Sequence, residues 1–298
     1  MRGAYLQLAL AMSLVGTNIA VGKIIVKEVP VFLFSEMRFF IASFFLIPLL
    51  FCGRQEKIQL QKNGWGFLFL QSFFGVFLFS ILMLYGVKFT SATSAGIITS
   101  TIPAAIAILS YFLLQEKPSI MQCISVCFAV LGISIISFQG DSMEKDGMLG
   151  NILIIGAVIS EALFTIYAKK LSGILTPLQM AVGVNSFGII LFFPFAIIEG
   201  LTFDFNSINV SMWLIIAYYS ITASVLSFIL WYCGVEKVNA NVAGLFTGFM
   251  PIAATFVSVI CLKEDFGLVH LVGMVCVLSA IYLGTKGSLN HDIKRGSA

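Results

Sequence analysis

Glu161 is the residue whose type and position most directly suggest chemistry. It lies near the middle of a long apolar segment, 148–169, where an ionised side chain costs about 2.5–3.5 kcal/mol to insert into a bilayer. Its side chain should therefore face an internal cavity or be paired. We predict that Glu161 binds a cationic group of a substrate or carries a coupling proton. The alternative is a protonated or hydrogen-bonded glutamate with a structural role between helices.

Two matched Thr-Pro pairs are the next candidates, Thr99 with Pro103 and Thr247 with Pro251. A proline inside a helix cannot donate a hydrogen bond, and it displaces the carbonyl four residues earlier. In both pairs that carbonyl belongs to the threonine. The spacing predicts two broken helices near the membrane midplane, whose carbonyls and hydroxyls bind substrate. A packing kink that the threonine hydroxyl satisfies is the alternative.

Charged and polar side chains in neighbouring segments complete the candidate set. Lys23, Glu36 and Arg38 are predicted in the outer third of the membrane, where a Glu36–Lys23 pair would close an outer gate or tie two helices together. Glu36 and Arg38 are two residues apart, so they point to different faces of one helix. A transported organic molecule needs hydrogen bonds and aromatic surface, which predicts pocket residues among Asn18, Gln71, Tyr85, Tyr167 and Trp231.

Composition indicates that a membrane surrounds these residues. The chain of 298 residues is 59% hydrophobic and 10% charged, with a mean hydropathy of +1.02, whereas soluble domains carry about 25% charged residues. The net charge of +3 is too small to indicate a nucleic-acid partner. The six cysteines lie in or beside apolar segments and form neither a disulfide framework nor a metal-ligand cluster. No catalytic set, metal or cofactor is predicted.

Ten apolar segments approach the length of about 20 residues that a membrane crossing requires. We therefore predict an all-α integral membrane protein with ten transmembrane helices. The loops on the side of both termini carry eleven lysines and arginines, against five on the other side, which predicts cytoplasmic termini. The ten segments are 3–26, 31–52, 64–87, 91–114, 118–139, 148–169, 176–199, 210–235, 239–262 and 266–286.

The second half of the chain repeats the first at an offset of 148 residues. Eleven identities join residues 86–116 to residues 234–264, and glycine, proline and glutamate are among them. Because five crossings per copy is an odd number, the copies should be inverted, as in many secondary transporters. The predicted division is a first five-helix repeat at 1–140, an outer linker at 141–147, a second, inverted repeat at 148–286 and a cytoplasmic tail at 287–298.

Several of these motifs resemble the EamA family of the drug/metabolite transporter superfamily. Gly16-Thr17-Asn18 with Lys23 is similar to the family's WG-x-N-x(4)-K start, although Val15 replaces the tryptophan. Pro103 to Glu116-Lys117 resembles the P-x(12)-E-[RK] signature, and Arg38 resembles the arginine of the family's second helix. The resemblance implies a ten-helix transporter that works by alternating access, with a central cavity built by helices 1, 3, 4, 6, 8 and 9.

The function expected from these features is secondary transport of small metabolites across a bacterial inner membrane, amino acids or related amines first. The expected partners are a small-molecule substrate and the lipid bilayer, with protons as a candidate coupling ion. Uptake or exchange of a larger metabolite, such as a nucleotide-sugar-like or adenosyl compound, is the alternative within transport. An intramembrane enzyme is the remote alternative, because Glu161 has no catalytic partner at its depth.

Overall fold

The computed structural model describes residues 2–52, 62–89, 98–137, 148–262 and 267–296, and every regular element in these ranges is a helix. Each of the ten predicted segments contains a helix within its described residues, while residues 91–97 of the fourth segment and the predicted linker 141–147 lie outside them. Six helical stretches are long and apolar enough to cross a membrane: Val31–Phe51, Gly64–Gly86, Met148–Leu171, Pro177–Thr202, Val210–Val235 and Ala240–Val257. Shorter apolar helices are Ile102–Leu113, Ile120–Ile135 and Leu271–Gly287.

The α-helices are numbered here in chain order. Helix α13 runs past the predicted last crossing, which was expected to end at residue 286. The bounds are α1 Arg2–Ile25, α2 Val31–Cys52, α3 Lys62–Ser72, α4 Phe79–Phe89, α5 Ile102–Leu113, α6 Ile120–Ser137, α7 Met148–Leu171, α8 Pro177–Thr202, α9 Val210–Tyr219, α10 Ser227–Val235, α11 Ala240–Phe246, α12 Phe249–Leu262 and α13 Leu268–Gly296.

Two of the membrane-length helices contain a π-helical segment. The first π segment, Phe73–Leu78, joins α3 to α4, and the second π segment, Ser220–Leu226, joins α9 to α10. Shifting the first by the repeat offset of 148 places it at 221–226, almost on the second. Short π segments inside α-helices occur often at functional sites, because they expose backbone groups and re-aim side chains. Both halves of the chain therefore share one backbone irregularity at one position.

The predicted proline kinks need correction. Pro103 and Pro251 lie in the first turns of α5 and α12, not in the middle of a helix. In the second half the chain breaks earlier, at Thr247 and Gly248, where α11 ends and α12 begins. The Thr247 carbonyl is not freed, because it accepts the Met250 N–H at 3.0 Å. A proline costs little in a first turn, where no intrahelical donor is required, so the break precedes it.

Close helix packing depends on glycines at two contacts of α1. A Cβ added at Gly16 would collide with the carbonyl oxygen of Met250 in α12, and one added at Gly234 would meet Leu8 at 2.5 Å. The glycine of the Gly16-Thr17-Asn18 motif thus allows α1 to lie directly against the break between α11 and α12. Helix α2 packs on α8, α4 on α7 and α6 on α13. One apolar core includes residues of both halves.

Local capping sets the starts of α8 and α9. Thr176 and Gln179 form a reciprocal capping box around Pro177 at the start of α8, with hydrogen bonds of 3.0 and 3.3 Å. Asn209 accepts the Met212 N–H at 2.7 Å and begins α9. These caps satisfy N–H groups that have no partner in the first turn of a helix. They fix the register of α8 and α9, which carry Asn185 and Tyr219 into the interior.

Candidate functional site

Buried polar side chains gather where α1 meets the second π segment. Asn18 is 1% exposed, and its Nδ2 donates to Oγ1 of Thr222 at 2.9 Å. The same amide nitrogen lies 2.8 Å from the Leu14 carbonyl of its own helix. The Thr222 hydroxyl also lies 2.7 Å from the Tyr218 carbonyl. Asn18 therefore connects the first half of the chain to the second through a fully buried hydrogen bond.

Asn185 continues this polar region from α8. Its Nδ2 donates to the carbonyls of Ala181 at 2.7 Å and Ser224 at 3.2 Å. The Oδ1 of Asn185 and the hydroxyl of Ser224 are buried and have no hydrogen-bond partner. A buried polar atom without a partner costs about 1–3 kcal/mol, and a polar ligand that bonded to these two atoms would offset that cost.

Arg38 faces the same region from α2. Its Cζ lies 4.1 Å from the centroid of the Phe39 ring and 5.7 Å from that of Tyr219, which immediately precedes the second π segment. The Arg38 Nε is buried without a hydrogen-bond partner. Two aromatic faces attract the cation, but aromatic rings do not satisfy its N–H donors. Arg38 therefore retains an unused capacity to bind an anion.

Glu36 lies on a different face of α2 from Arg38. Two residues on a helix are about 200° apart at 100° per residue, and Glu36 lies only about 40° from the exposed Phe40. Its Oε2 is buried without a hydrogen-bond partner. The side chain of Lys23 lies outside the described residues. The predicted Glu36–Lys23 gate therefore stays a prediction.

Gln71 and Tyr232 link α3 to α10 in the interior. Both side chains are fully buried, and Gln71 Nε2 donates to the Tyr232 hydroxyl at 3.1 Å. The other amide atom, Gln71 Oε1, has no hydrogen-bond partner, and neither does the indole N–H of Trp231, which is 1% exposed. Two predicted pocket residues, Gln71 and Trp231, thus supply an unused acceptor and an unused donor.

Glu161 lies on the interior face of α7. The lipid-facing stripe of α7 is formed by the exposed isoleucines Ile152, Ile155 and Ile159. Glu161 is about 120–180° around the helix axis from each of them. The side chain nevertheless keeps a partly accessible surface. Tyr232 of α10 lies near its carboxyl group. Accessible surface on the face opposite the lipid indicates that Glu161 borders space inside the protein.

The other predicted site residues are distributed differently. Tyr167 stacks on Phe67 and Phe74, with ring centroids 5.9 and 6.3 Å apart, and so packs beside the first π segment. Tyr85 is 43% exposed and stands apart from the buried polar residues.

The two predicted threonines lie beside the helix breaks. Thr247 is buried, and its hydroxyl donates to the Gly244 carbonyl at 2.7 Å. Thr99 lies one turn before α5, beside residues 90–97, which are outside the described part.

Three buried hydroxyls were missed from the sequence. Thr222 bonds to Asn18, while Ser224 and Thr165 have hydroxyls without a partner. Short hydroxyl residues are common in membrane helices because they bond to their own helix, so their presence alone carries little information. A usable signal was spacing, since Thr165 follows Glu161 by four residues and therefore lies on the same helix face.

Flank cavities of the bundle are apolar and separate from these polar side chains. One, of about 350 Å³, lies between α1 and α12 and includes Ser13, Thr17 and Phe256. Another, of about 250 Å³, lies between α2, α3 and α8 and includes Trp65 and Gln179. Such apolar clefts suit hydrocarbon chains of lipid, whereas a polar ligand requires the interior groups described above.

A capping network joins the two halves at one end of the bundle. The carboxylate of Glu116, which follows α5, accepts the N–H groups of Ala240 at 3.0 Å and Asn241 at 3.4 Å, at the start of α11. Burial raises the pKa of Glu116, and these two N–H donors and nearby Lys169 partly oppose that rise.

Lys169 caps the end of the preceding helix in the same network. Its Nζ donates to the carbonyls of Val235 and Glu236, at 3.0 and 3.1 Å, at the end of α10. The signature glutamate of the first half thus caps a helix of the second.

Comparison with known families places these features in context. The model described as the EamA-like transporter family matches residues 2–138 and, a second time, residues 148–285. The two matched stretches correspond to the two halves that the repeat offset defines. The same family description therefore applies to each half of the chain.

Individual relatives agree with the family match. The uncharacterized transporter YetK of Bacillus subtilis (strain 168) is 46% identical over 285 residues, which cover 94% of this chain and 86% of that protein. An uncharacterized transporter of Archaeoglobus fulgidus is 24% identical and covers 94% of this chain and 97% of its own. A crystal structure with 14% sequence identity has a TM-score of 0.79 and covers 97% and 99% of the two chains, so the fold is shared.

Proposed function

Because this chain belongs to the EamA-like transporter family, we propose that it is a secondary transporter of amino acids or related amines that works by alternating access. Membership of the family establishes a membrane transporter, and the helices long and apolar enough for a bilayer agree with it. The substrate class and the mechanism are the proposed part. A gradient supplies the energy, because the sequence contains no ATP-binding motif.

Glu161 is the observation that carries the proposal. A carboxylate that borders internal space, opposite the lipid-facing isoleucines of α7, is expensive to maintain in a membrane. An ammonium group of the substrate would offset that cost, and so would a proton that is bound and released during transport. Tyr232 lies near Glu161 and accepts a hydrogen bond from Gln71, whose Oε1 is an unused buried acceptor. Trp231, next to Tyr232 in the sequence, supplies an unused buried donor. Together they suit a small molecule that is cationic at one end and apolar at the other.

Inverted repeats supply the proposed movement. Three features support a pair of related units that rock against each other. They are the two family matches, the two π segments and the close contact of Gly16 with the Met250 carbonyl. The proposed topology has ten crossings with both termini in the cytoplasm, following the lysine and arginine bias. On this topology the Glu116 network lies on the cytoplasmic side, and Arg38 lies toward the outside.

Flux through proteoliposomes tests the proposed function. Purified protein is reconstituted, and uptake of labelled amino acids and amines is followed with and without a pH gradient. We expect saturable flux of at least one compound, reduced roughly 10- to 100-fold in Glu161→Gln because a charge-assisted contact is lost. Glu28→Gln, at an exposed position between α1 and α2, is the matched control.

The outcomes separate the roles of Glu161 from each other and from transport itself. Reduced flux with an altered pH profile supports proton coupling, whereas reduced flux with an unchanged pH profile supports ammonium binding. Unchanged rate and pH profile in Glu161→Gln would exclude both roles. An adenosyl compound in the same panel tests the alternative of a larger metabolite, which flux of that compound alone would favour.

A further inference from the structure

Arg38 is a charged side chain of the described interior to which the proposed function has so far assigned no role. It lies about 10 Å along α2 from the helix start at 1.5 Å per residue. The Arg38 Cζ lies 4.1 Å from the ring centroid of Phe39, which is fully buried, and 5.7 Å from that of Tyr219 in α9. The guanidinium therefore points toward the neighbouring helix α9.

No carboxylate in the neighbouring helices satisfies this guanidinium. Helix α2 packs against α8, α9 and the second π segment, and among these described elements Glu199 is the only acidic residue. Its Oε2 accepts the Leu33 N–H at 2.8 Å, at the start of α2. Glu36 points about 160° away from Arg38 around α2. The Arg38 Nε is left without a hydrogen-bond partner.

The groups around Arg38 are arranged for a ligand with acceptor atoms. Phe39 and Tyr219 hold the cation between aromatic faces, at 4.1 and 5.7 Å from Cζ. Tyr219 leads directly into the second π segment, where the Ser224 hydroxyl is buried without a partner. A guanidinium presents parallel N–H donors that fit a carboxylate in two-point contact.

We propose that Arg38 binds a carboxylate of the transported molecule, which makes the substrate an amino acid and not a simple amine. The assignment rests on the proposed transport function and narrows its substrate class. Arg38 then acts as a specificity-determining residue, because an amine or amide of the same shape leaves its buried Nε without a partner. Its counterpart in the second half at an offset of 147 is the neutral Asn185, so the anion site belongs to one half only.

Matched ligand pairs on the purified full-length protein test the assignment. Each of the twenty amino acids is compared with its own carboxamide, which keeps the ammonium and the side chain but loses the carboxylate. Binding to the folded state raises the apparent melting temperature by an amount that grows with the logarithm of ligand concentration divided by Kd. We expect at least one acid to bind the wild-type protein about 10- to 100-fold more tightly than its amide, as the loss of a charge-assisted contact implies.

Variants identify the residue responsible for that preference. Arg38→Gln should abolish the difference between acid and amide, and Arg38→Lys should retain part of it, because a lysine keeps the charge without the two-point geometry. Arg2→Gln, at an exposed position at the start of α1, is the matched control and should keep the full preference. The comparison within wild-type protein holds even if Arg38→Gln fails to fold.

Each outcome bears on a distinct hypothesis. Equal affinity of acid and amide for wild-type protein, or an acid preference that persists in Arg38→Gln, overturns the carboxylate assignment while transport itself stands. A loss of melting temperature shared by Arg38→Gln and Glu199→Gln, with no change in ligand preference, would show a structural role instead. The absence of binding and flux for every pair would overturn the proposed function together with the assignment.

Discussion

The two π segments occupy the same position in the two halves of the chain but carry opposite chemistry. The first, Phe73–Leu78, is aromatic: Phe77 lies against Phe192 at 5.2 Å and Phe74 against Tyr167 at 6.3 Å. The second, Ser220–Leu226, holds the Thr222 hydroxyl against Asn18 and the unpartnered hydroxyl of Ser224. One segment fills space with rings, and the other places hydroxyl groups in the interior.

The difference separates what the two halves share from what differs between them. Both halves kept the backbone irregularity, which changes the direction of side chains within a membrane helix. The side chains then took different roles, because Gly75 of the first segment packs on Phe164 whereas Ser224 of the second meets Asn185. The first half therefore contributes mainly packing at this position, and the second contributes polar contacts. Three substitutions test that division, taken in order of decreasing effect on stability.

Gly75→Val should have the largest effect, because the first π segment is defined by close packing. A Cβ at Gly75 would collide with the Cβ and ring of Phe164 in α7. Forcing extra carbons into a packed core costs about 1–3 kcal/mol, so we expect the melting temperature of the detergent-purified protein to fall by several degrees. Thermal unfolding followed by size-exclusion chromatography measures the loss.

Gly66→Ala is the matched control for this substitution. It lies in α3, which leads directly into the first π segment, and a Cβ at Gly66 meets nothing within 4 Å. The alanine should leave the melting temperature unchanged or raise it slightly, because alanine favours helix more than glycine does. If Gly75→Val proved as stable as Gly66→Ala, tight packing of the first π segment would be the wrong description.

Thr222→Val should have an intermediate effect, because it breaks a single buried bond in the second π segment. Asn18 loses its partner across the helices but keeps the Leu14 carbonyl at 2.8 Å, so the expected cost is about 1 kcal/mol. A double-mutant cycle with Asn18→Leu measures the coupling, and a value near zero would rule out a stabilising bond. Phe74→Leu, at the matching position of the first segment, should show no coupling with Asn18→Leu.

Much of this fold could be predicted from the sequence. Segment length and hydropathy were sufficient to locate a helix in all ten predicted segments, because each helix must satisfy its backbone within the membrane. The π segments carry no comparable signal, since at the offset of 148 Phe73–Leu78 and Ser220–Leu226 share a single identity, Leu78 with Leu226. The break at Thr247 was predicted, but Pro251 was placed in mid-helix, whereas it lies in the first turn of α12, where a proline is tolerated.

The candidate site was predicted in part, and the unpredicted part depends on contacts between distant residues. The burial cost of a carboxylate was enough to place Glu161 toward the interior. From its depth in the membrane, Arg38 was interpreted as a gate or ion-pair residue. The structure adds that the described helices packed around it offer its guanidinium no free carboxylate, and this could not be read from the sequence. Ser224 was overlooked, because sequence alone does not distinguish a hydroxyl bonded to its own helix from one left without a partner.

Ser224→Ala should cause the smallest loss of stability, in fact none, and the clearest effect on binding. The substitution removes a buried hydroxyl that makes no bond, so the free energy of unfolding of the ligand-free protein should not fall and should rise by about 1 kcal/mol. Affinity for the carried molecule should fall severalfold, because the hydroxyl is then the donor that a ligand loses. Ser227→Ala is the matched control, since its hydroxyl already donates to the Ala223 carbonyl. Equal affinity in Ser224→Ala and Ser227→Ala would mean that the polar side chains of the second π segment are as purely structural as the rings of the first.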